Sequence, residues 1–197
     1  MHGMPPVGIL LAAGRGRRFD PSGARNKLLA RLDGGELVVL ASARALLTIL
    51  PRVIAVVPSD DGGVGDALRA LGCHVTVCAD ADSGMAASLV HALRQSLPTS
   101  GWIVALGDMP YVRPATVAAL SAALAGGADI AVPSFDGRRG NPVGLGAVHL
   151  AALLALEGDQ GARAIVRANP ASEVPVDDPG ILMDIDTLAD LPKNGTL

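Results

Sequence analysis

The chain has 197 residues, half of them hydrophobic and 18% charged, with 24 Gly, 14 Pro and two Cys, and a mean hydropathy of +0.41. At this length about 70% of the unfolded surface is buried on folding, so the apolar content supplies one core and excludes disorder. Sixteen basic against 19 acidic residues give a net charge of −3, and no run of five Lys or Arg occurs, so the footprint of a nucleic-acid partner is absent.

Short β-branched or aliphatic runs alternate with longer Ala/Leu stretches of helical period. Extended segments are expected at 7–12, 52–57, 74–78, 102–106 and 129–132. Helices are expected at 36–50, 63–71, 85–97 and 114–124, the last opening on Pro114, whose missing N–H costs nothing in a first turn. This alternation, with nearly continuous apolar strands, predicts an α/β fold: a Rossmann-like, mostly parallel sheet with helices on both faces, three layers in all. After Val132 the rhythm changes to a polar turn at 135–140, an apolar run at 143–148, two short helices near 149–156 and 161–168, and short extended pieces. These are expected to make the C-terminal edge of the sheet mixed. Cys73 and Cys78 lie an odd number of residues apart along one strand, so they face opposite ways as buried thiols and share neither a local disulfide nor a metal. His2, His74, His91 and His149 lack the i, i+4 pairing of a zinc helix. The uncharged stretches 115–128 and 142–156 fall short of the ~20 apolar residues of a bilayer span, so no membrane partner is expected. Arg15, Arg17 and Arg18 follow the first apolar run where a signal peptide needs small neutral residues, which makes the cytoplasm the expected compartment.

In an open parallel sheet a ligand lies beyond the carboxyl ends of the strands, which singles out the loops at 13–27, 58–63, 79–84, 107–110 and 134–141. The first contains Gly14-Arg15-Gly16-Arg17-Arg18-Phe19. Phe19 stands where a dinucleotide fingerprint needs its third glycine, and Leu28 follows Lys27 where a P-loop needs Ser or Thr. What remains is a glycine-containing loop with Arg15, Arg17, Arg18, Arg25 and Lys27 in an acidic protein. It is either a solvated surface loop or a polyanion site. In the second reading, backbone N–H groups of Gly14 and Gly16 approach phosphate oxygens and each cation adds about 4 kcal/mol of Coulomb attraction at 4 Å before desolvation.

Asp108, in Gly107-Asp108-Met109-Pro110, follows the hydrophobic strand at 102–106 and should stand at its carboxyl end, facing the first loop. Asp184 and Asp186 share a face if their segment is extended, and like charges there call for a cation or open solvent. Asp186 or Thr187 could instead cap a helix at 188–191. Magnesium takes oxygen ligands, often one or two carboxylates plus substrate phosphates, and Asp108 with a distant Asp could offer such a set. Asp80 and Asp82 read as loop residues.

Taken in order, Leu11-Ala12-Ala13-Gly14 with Arg18 and Lys27, Gly84-Met85 with Ser88, Gly107-Asp108-Met109-Pro110, Gly140-Asn141-Pro142-Val143, Gly158-Asp159 with Gly161-Ala162-Arg163, and Asp184-Ile185-Asp186-Thr187 resemble the MobA-like nucleotidyltransferases over nearly the whole chain. The chain is most similar to the molybdenum cofactor cytidylyltransferases of that family, whose first loop usually reads Ala-Ala-Gly where guanylyltransferases usually have Ala-Gly-Gly. Sugar-phosphate nucleotidyltransferases share versions of the first loop and of Gly-Asp-Met-Pro. Asp20 departs from the pattern, since relatives often carry Gly there.

The resemblance implies one nucleotidyltransferase domain over 1–197, of the nucleotide-diphospho-sugar transferase type, with a nucleotide-binding half at about 7–133 and an acceptor side at about 134–197. It implies metal-dependent transfer of CMP from CTP to the terminal phosphate of molybdopterin or its molybdenum-loaded form, with Mg2+ or Mn2+ as cofactor, pyrophosphate as leaving group and a molybdoenzyme as recipient. By the same likeness Arg18, Lys27 and Asp108 are catalytic, the two cations bearing the β- and γ-phosphates. Leu11, Ala12, Ala13, Gly14, Gly84 and Ser88 join Arg18 and Lys27 around the nucleotide, Asp108, Asp186 and Asp184 hold the metal, and Asn141 meets the acceptor. The residues leave open a GTP-dependent molybdopterin guanylyltransferase or another phosphate-acceptor nucleotidyltransferase and, in a different class, a non-catalytic module that delivers nucleotide or cofactor.

Overall fold

The structure is a computed structural model that describes residues 4–14, 16, 18–22 and 24–191. Among the described residues eight strands form one sheet: β1 (Val7–Leu11), β2 (Val53–Val57), β3 (His74–Val77), β4 (Gly101–Leu106), β5 (Ile130–Phe135), β6 (Arg138–Arg139), β7 (Val143–Gly146) and β8 (Ser172–Pro175). The α-helices are α1 (Val38–Leu47), α2 (Val64–Leu71), α3 (Met85–Ser96), α4 (Pro114–Ala125), α5 (Leu150–Leu154) and α6 (Ala162–Ala168).

The central strands read as unbroken apolar runs because both of their faces are covered. Leu10, Val53, Ala55, Ile103 and Ala131 pack with residues of α1, α2 and α4. Their chain neighbours Ile9, Ile54, Trp102 and Ile130 pack with residues of α3, α5 and α6. Period-two alternation therefore divides one sheet between two cores and produces the three layers. Cys73 and Cys78, both free and buried, fall in the opposite cores, and burial pushes the Cys73 thiol up to about 11. Helix α1 begins later than its apolar pattern suggests, because a bridge to Arg31 holds Leu37 extended. Among the described residues no helix is long and apolar enough to cross a membrane.

The strand order is β3-β2-β1-β4-β7-β5-β6, with β8 beside β5. β1, β2, β3 and β4 pair in parallel. The chain steps outward from β1 to β3, then returns past β1 to β4. Because parallel crossovers keep one hand, the returning helix α3 lies on the face opposite α1 and α2. Such a reversal opens a crevice at the carboxyl ends of β1 and β4.

The C-terminal side of the sheet is mixed as expected, with antiparallel β6 at its edge and a second antiparallel strand, β7, inside it. β7 pairs with both β4 and β5. Glycine permits this close fit: a Cβ on Gly101 would lie 2.5 Å from the Leu145 carbonyl oxygen, and one on Gly144 would press on Ala131 and Leu124 at 3.3 Å. The polar turn at 135–140 is a hairpin of β5 with β6, turning at Asp136 (φ 48°) and Gly137 (φ 73°), the left-handed pair that such tight hairpins require. The C-terminal segment is latched to α4 by buried Asp178, which accepts from the Arg113 backbone N–H at 2.8 Å, Thr116 Oγ1 at 2.6 Å and the Gly180 N–H at 3.0 Å.

Candidate active site

Three chain segments converge on the crevice, each held by backbone or apolar contacts. Gly107 N–H donates to the Leu11 carbonyl at 2.9 Å, and Ser42 Oγ donates to the Gly107 carbonyl at 3.0 Å; together they seat Asp108 beside the end of β1. Ile185 N–H donates to the Asp108 carbonyl at 2.8 Å, which brings the Asp184–Asp186 segment alongside. Phe19, Ala30, Val38, Ile185 and Leu191 form a small apolar cluster of their own. Phe19 thus anchors the first loop to the residue between the two C-terminal carboxylates.

The result is a chain of alternating charges. Arg18 Nη1 lies 2.8 Å from Asp186 Oδ2, and Lys27 Nζ lies 3.1 Å from Asp186 Oδ1 and 2.6 Å from Asp108 Oδ2. Lys27 starts a short 3-10 turn in which Asn26 accepts from Leu28 N–H at 3.0 Å, and the residue is only 7% exposed. Burial alone would lower its pKa, but Asp108 and Asp186 outweigh burial and the net shift is upward. Asp184 moves upward too, through burial first and then the like charge of Asp186, with Asp108 adding to it. The Asp108 Oδ1 atom is buried with no hydrogen-bond partner among the described residues. Thr187, not Asp186, is the cap of the C-terminal 3-10 turn, in a capping box with Asp190, which accepts from the backbone N–H groups of Asp186 and Thr187 at 3.1 and 2.6 Å and from Thr187 Oγ1 at 2.8 Å.

The carboxylate oxygens of Asp108, Asp184 and Asp186 are the hard donors that Mg2+ or Mn2+ takes, often one or two carboxylates with substrate phosphates completing the set; among the described residues no group of three or more His, Cys, Asp or Glu is disposed to hold an ion by itself, and the orphaned Asp108 Oδ1 is the donor left open to one. Lys27 supplies the neutralising charge between them in this structure.

The basic first loop is less open to an anion than its composition suggests. Asp20 accepts from Ser22 N–H at 3.0 Å, Ser22 Oγ at 2.7 Å and Arg25 N–H at 2.9 Å, and pairs with Arg25 Nε at 3.4 Å. The residue that departs from the family pattern therefore folds the loop and engages Arg25. Arg15 and Arg17 lie outside the described residues.

Two cavities share Lys27 and Asp108 in their walls. One of about 470 Å³ is lined by Leu11, Ala13, Gly14, Gly84 and Ser88. The second, about 940 Å³, holds Arg18, Asn141, Asp184 and Asp186 in its lining. Ala12 opens instead on a third space of about 780 Å³ beside Asp20 and Arg25. Gly84 has a φ of 130°, and a Cβ there would collide with the Gly158 carbonyl, whose oxygen accepts from Ala86 N–H at 3.0 Å. This contact lays the 157–161 loop on the first turn of α3 and brings Asp159 and Met85 into both cavities. Both belong to segments that carry the family resemblance, though neither is assigned to the site from sequence. Phe19 was also passed over, although it is one of two Phe in the chain and an isolated aromatic residue in a polar loop is a sign of an anchor.

Residues 8–174 match the model of the MobA-like NTP transferase domain. The Purine catabolism protein PucB of Bacillus subtilis is 29% identical over 194 residues, covering 92% of this chain and 91% of that protein. The crystal structure of Rv0371c from Mycobacterium tuberculosis superposes with a TM-score of 0.80 at 28% identity over 96% of each chain; a second structure of that protein, in complex with manganese, gives 0.72 at 26% identity over 95% of this chain and 96% of that one. A nucleotidyl transferase from Methanothermobacter gives 0.78 at 25% identity over 94% of each chain. With a domain match over most of its length, the chain belongs to the MobA-like NTP transferase family.

Proposed function

We propose that this protein transfers CMP from CTP to the terminal phosphate of molybdopterin or the molybdenum cofactor, with release of pyrophosphate. The observation that carries the reading is the junction of Arg18, Asp186, Lys27 and Asp108 between two adjoining cavities. The smaller would take the nucleotide against Leu11, Ala13, Gly14, Gly84 and Ser88. The larger would take the acceptor against Asn141. Residues 7–133 and 134–197 would divide the work between donor and acceptor.

An acceptor phosphate oxygen would form the new bond to the α-phosphorus while the bond from that phosphorus to the α,β-bridging oxygen breaks. The electron pair leaves on pyrophosphate. A phosphate nucleophile carries its negative charge already, so no general base is required, and catalysis rests on alignment and charge neutralisation. Asp108, Asp186 and Asp184 would hold a divalent cation, which when bound supplies Lewis-acid stabilisation of phosphate charge. The manganese in the Rv0371c structure supports such use of a divalent ion. Lys27 and Arg18 would neutralise the β- and γ-phosphates, and the half-buried apolar wall of Leu11 and Leu106 would exclude water. The expected compartment is the cytoplasm, and a molybdoenzyme would receive the product.

Pyrophosphate release measured with each nucleoside triphosphate, with and without molybdopterin, in Mg2+ or Mn2+, tests the reading. CTP with molybdopterin should give release. GTP in its place would assign guanylyl transfer, and tight nucleotide binding with no release for any acceptor would leave a delivery module. A second reading, service in purine catabolism, is favoured by the length and identity of the match to PucB. Its test is growth of a deletion strain on purines as the nitrogen source.

A further inference from the structure

The charge chain Arg18–Asp186–Lys27–Asp108 is closed on itself: each cation expected to hold phosphate is bound to a carboxylate expected to hold metal. We propose, building on the transfer reading, that Lys27 is an internal stand-in for the divalent cation, and that ammonium and metal occupy the same carboxylate oxygens in alternation. Lys27 then leaves Asp108 and Asp186 when the cation is bound, and only in that state is free to engage phosphate.

Several features point the same way. Lys27 Nζ lies between one oxygen of Asp108 and one of Asp186, residues 81 and 159 positions away, where a bridging cation would satisfy both. The second Asp108 oxygen is buried and unpartnered, and Asp184 faces two further negative charges. Lys27 and Arg18 together thus leave the three carboxylates incompletely compensated. At equal distance a dication repels the ammonium with as much energy as Asp108 and Asp186 together attract it, so its arrival cancels the hold of the two carboxylates on Lys27. The side chain is suited to exchange. Lys is a compact point charge on a flexible stem, unlike the planar fork of Arg, and only two of the 16 basic residues are Lys. Gly16 leaves room beside the stem, since a Cβ there would press on Lys27 Cγ at 3.3 Å.

The two lysines make the exchange measurable. The full chain, without nucleotide, is acetylated with an N-hydroxysuccinimide ester in the presence and absence of Mn2+, and modification of Lys27 is read by peptide mass spectrometry against Lys193. Lys27 should react about tenfold faster with Mn2+, the factor set by losing a charge-assisted hydrogen bond. In parallel, Mn2+ affinity is measured by electron paramagnetic resonance. Lys27→Gln should tighten Mn2+ binding by about tenfold for the same reason, and Arg18→Gln, which leaves Asp108 paired, should tighten it less. Mn2+ binding with Lys27 acetylation unchanged would overturn the exchange, as would equal tightening in both variants or absence of Mn2+ binding to wild type and Lys27→Gln alike. Those results leave nucleotide-dependent pyrophosphate release free to be observed. Exchange without release from any nucleotide would instead sink the transfer reading alone.

Discussion

Replacing Asp108 by Asn separates the two tasks assigned to this carboxylate. The side chain keeps its volume, and its amide oxygen can still accept from Lys27, now as a neutral group. Wild-type Asp108 holds Lys27 Nζ at 2.6 Å, a charge-assisted bond of about 1.5 to 3 kcal/mol against about 1 for a neutral acceptor. Asp186, at 3.1 Å, remains as a partner, while the new amide nitrogen takes the place of Oδ1, a buried atom with no hydrogen-bond partner among the described residues. The expected destabilisation is about 2 kcal/mol, a fall in Tm of roughly 4–8 °C for a chain of this size. The chemical cost should be far larger. Loss of a ligand and of a fixed charge at the reacting phosphates should cut the pyrophosphate release rate by about 10²–10³, the range for removing one preorganised electrostatic group. The pairing also has an alkaline signature. Because the Lys27 pKa is raised in the folded state, its contribution to stability is complete below the ordinary lysine value near ~10.4 and is lost as pH rises through the higher folded value. Asp108→Asn should shrink that alkaline loss. Thermal melts across pH with a coupled pyrophosphate assay read both effects. A variant that melts lower yet releases pyrophosphate at the wild-type rate would reduce Asp108 to a structural partner of Lys27 and refute the catalytic argument.

Three further substitutions or reagents probe the frame around the site. Gly84→Ala forces a side chain into left-handed backbone and against the Gly158 carbonyl; it should lift the 157–161 loop from α3 and weaken CTP binding by about tenfold, measured by calorimetry, and unchanged affinity would remove that loop contact from the nucleotide site. Asp178→Ala strands three donors at a residue only 2% exposed, and should cost about 3 kcal/mol in urea unfolding; a loss below about 1 kcal/mol would mean that the C-terminal segment is held by other contacts. The thiols of Cys73 and Cys78 are buried in opposite cores, so neither should react with Ellman's reagent at pH 8 until the protein unfolds, and fast labelling of one in the native state would contradict the core assignment.

The readability of this fold from sequence follows the range of the interactions that set it. Strand-and-helix alternation through residue 125 is local: runs such as Val53–Val57 declare burial on both faces, and Pro114 declares a helix start. The place of β7 is decided by backbone approach instead. Val143–Gly146 reads as an apolar edge piece, and only contact across to Gly101 and Ala131 makes it an inner strand. The same distinction governs the site. Asp108 is marked by its position after an apolar strand, whereas the link from Arg18 to Asp186 depends on Phe19 packing with Ile185, a contact that the intervening chain does not signal.

Charge composition misleads for a related reason. Counting Arg and Lys in the first loop suggests an exposed positive surface, but a count is blind to carboxylates brought in from elsewhere in the fold. Arg25 is engaged by its neighbour Asp20, and Lys27 by two carboxylates far along the chain. Among the described residues of the loop, Arg18, Arg25 and Lys27 are therefore paired within the protein before any ligand arrives. Phosphate binding at such a site draws its selectivity from the partners that the cations must give up as well as from those they gain, and a triphosphate arriving with its own divalent cation replaces both halves of the pairing at once, an anion for Lys27 and a cation for Asp108 and Asp186. A bare phosphate can replace only one half and would leave the carboxylates uncompensated. On the proposed exchange, a preference for a metal-bound polyphosphate over a simple anion would follow from the internal salt bridges themselves.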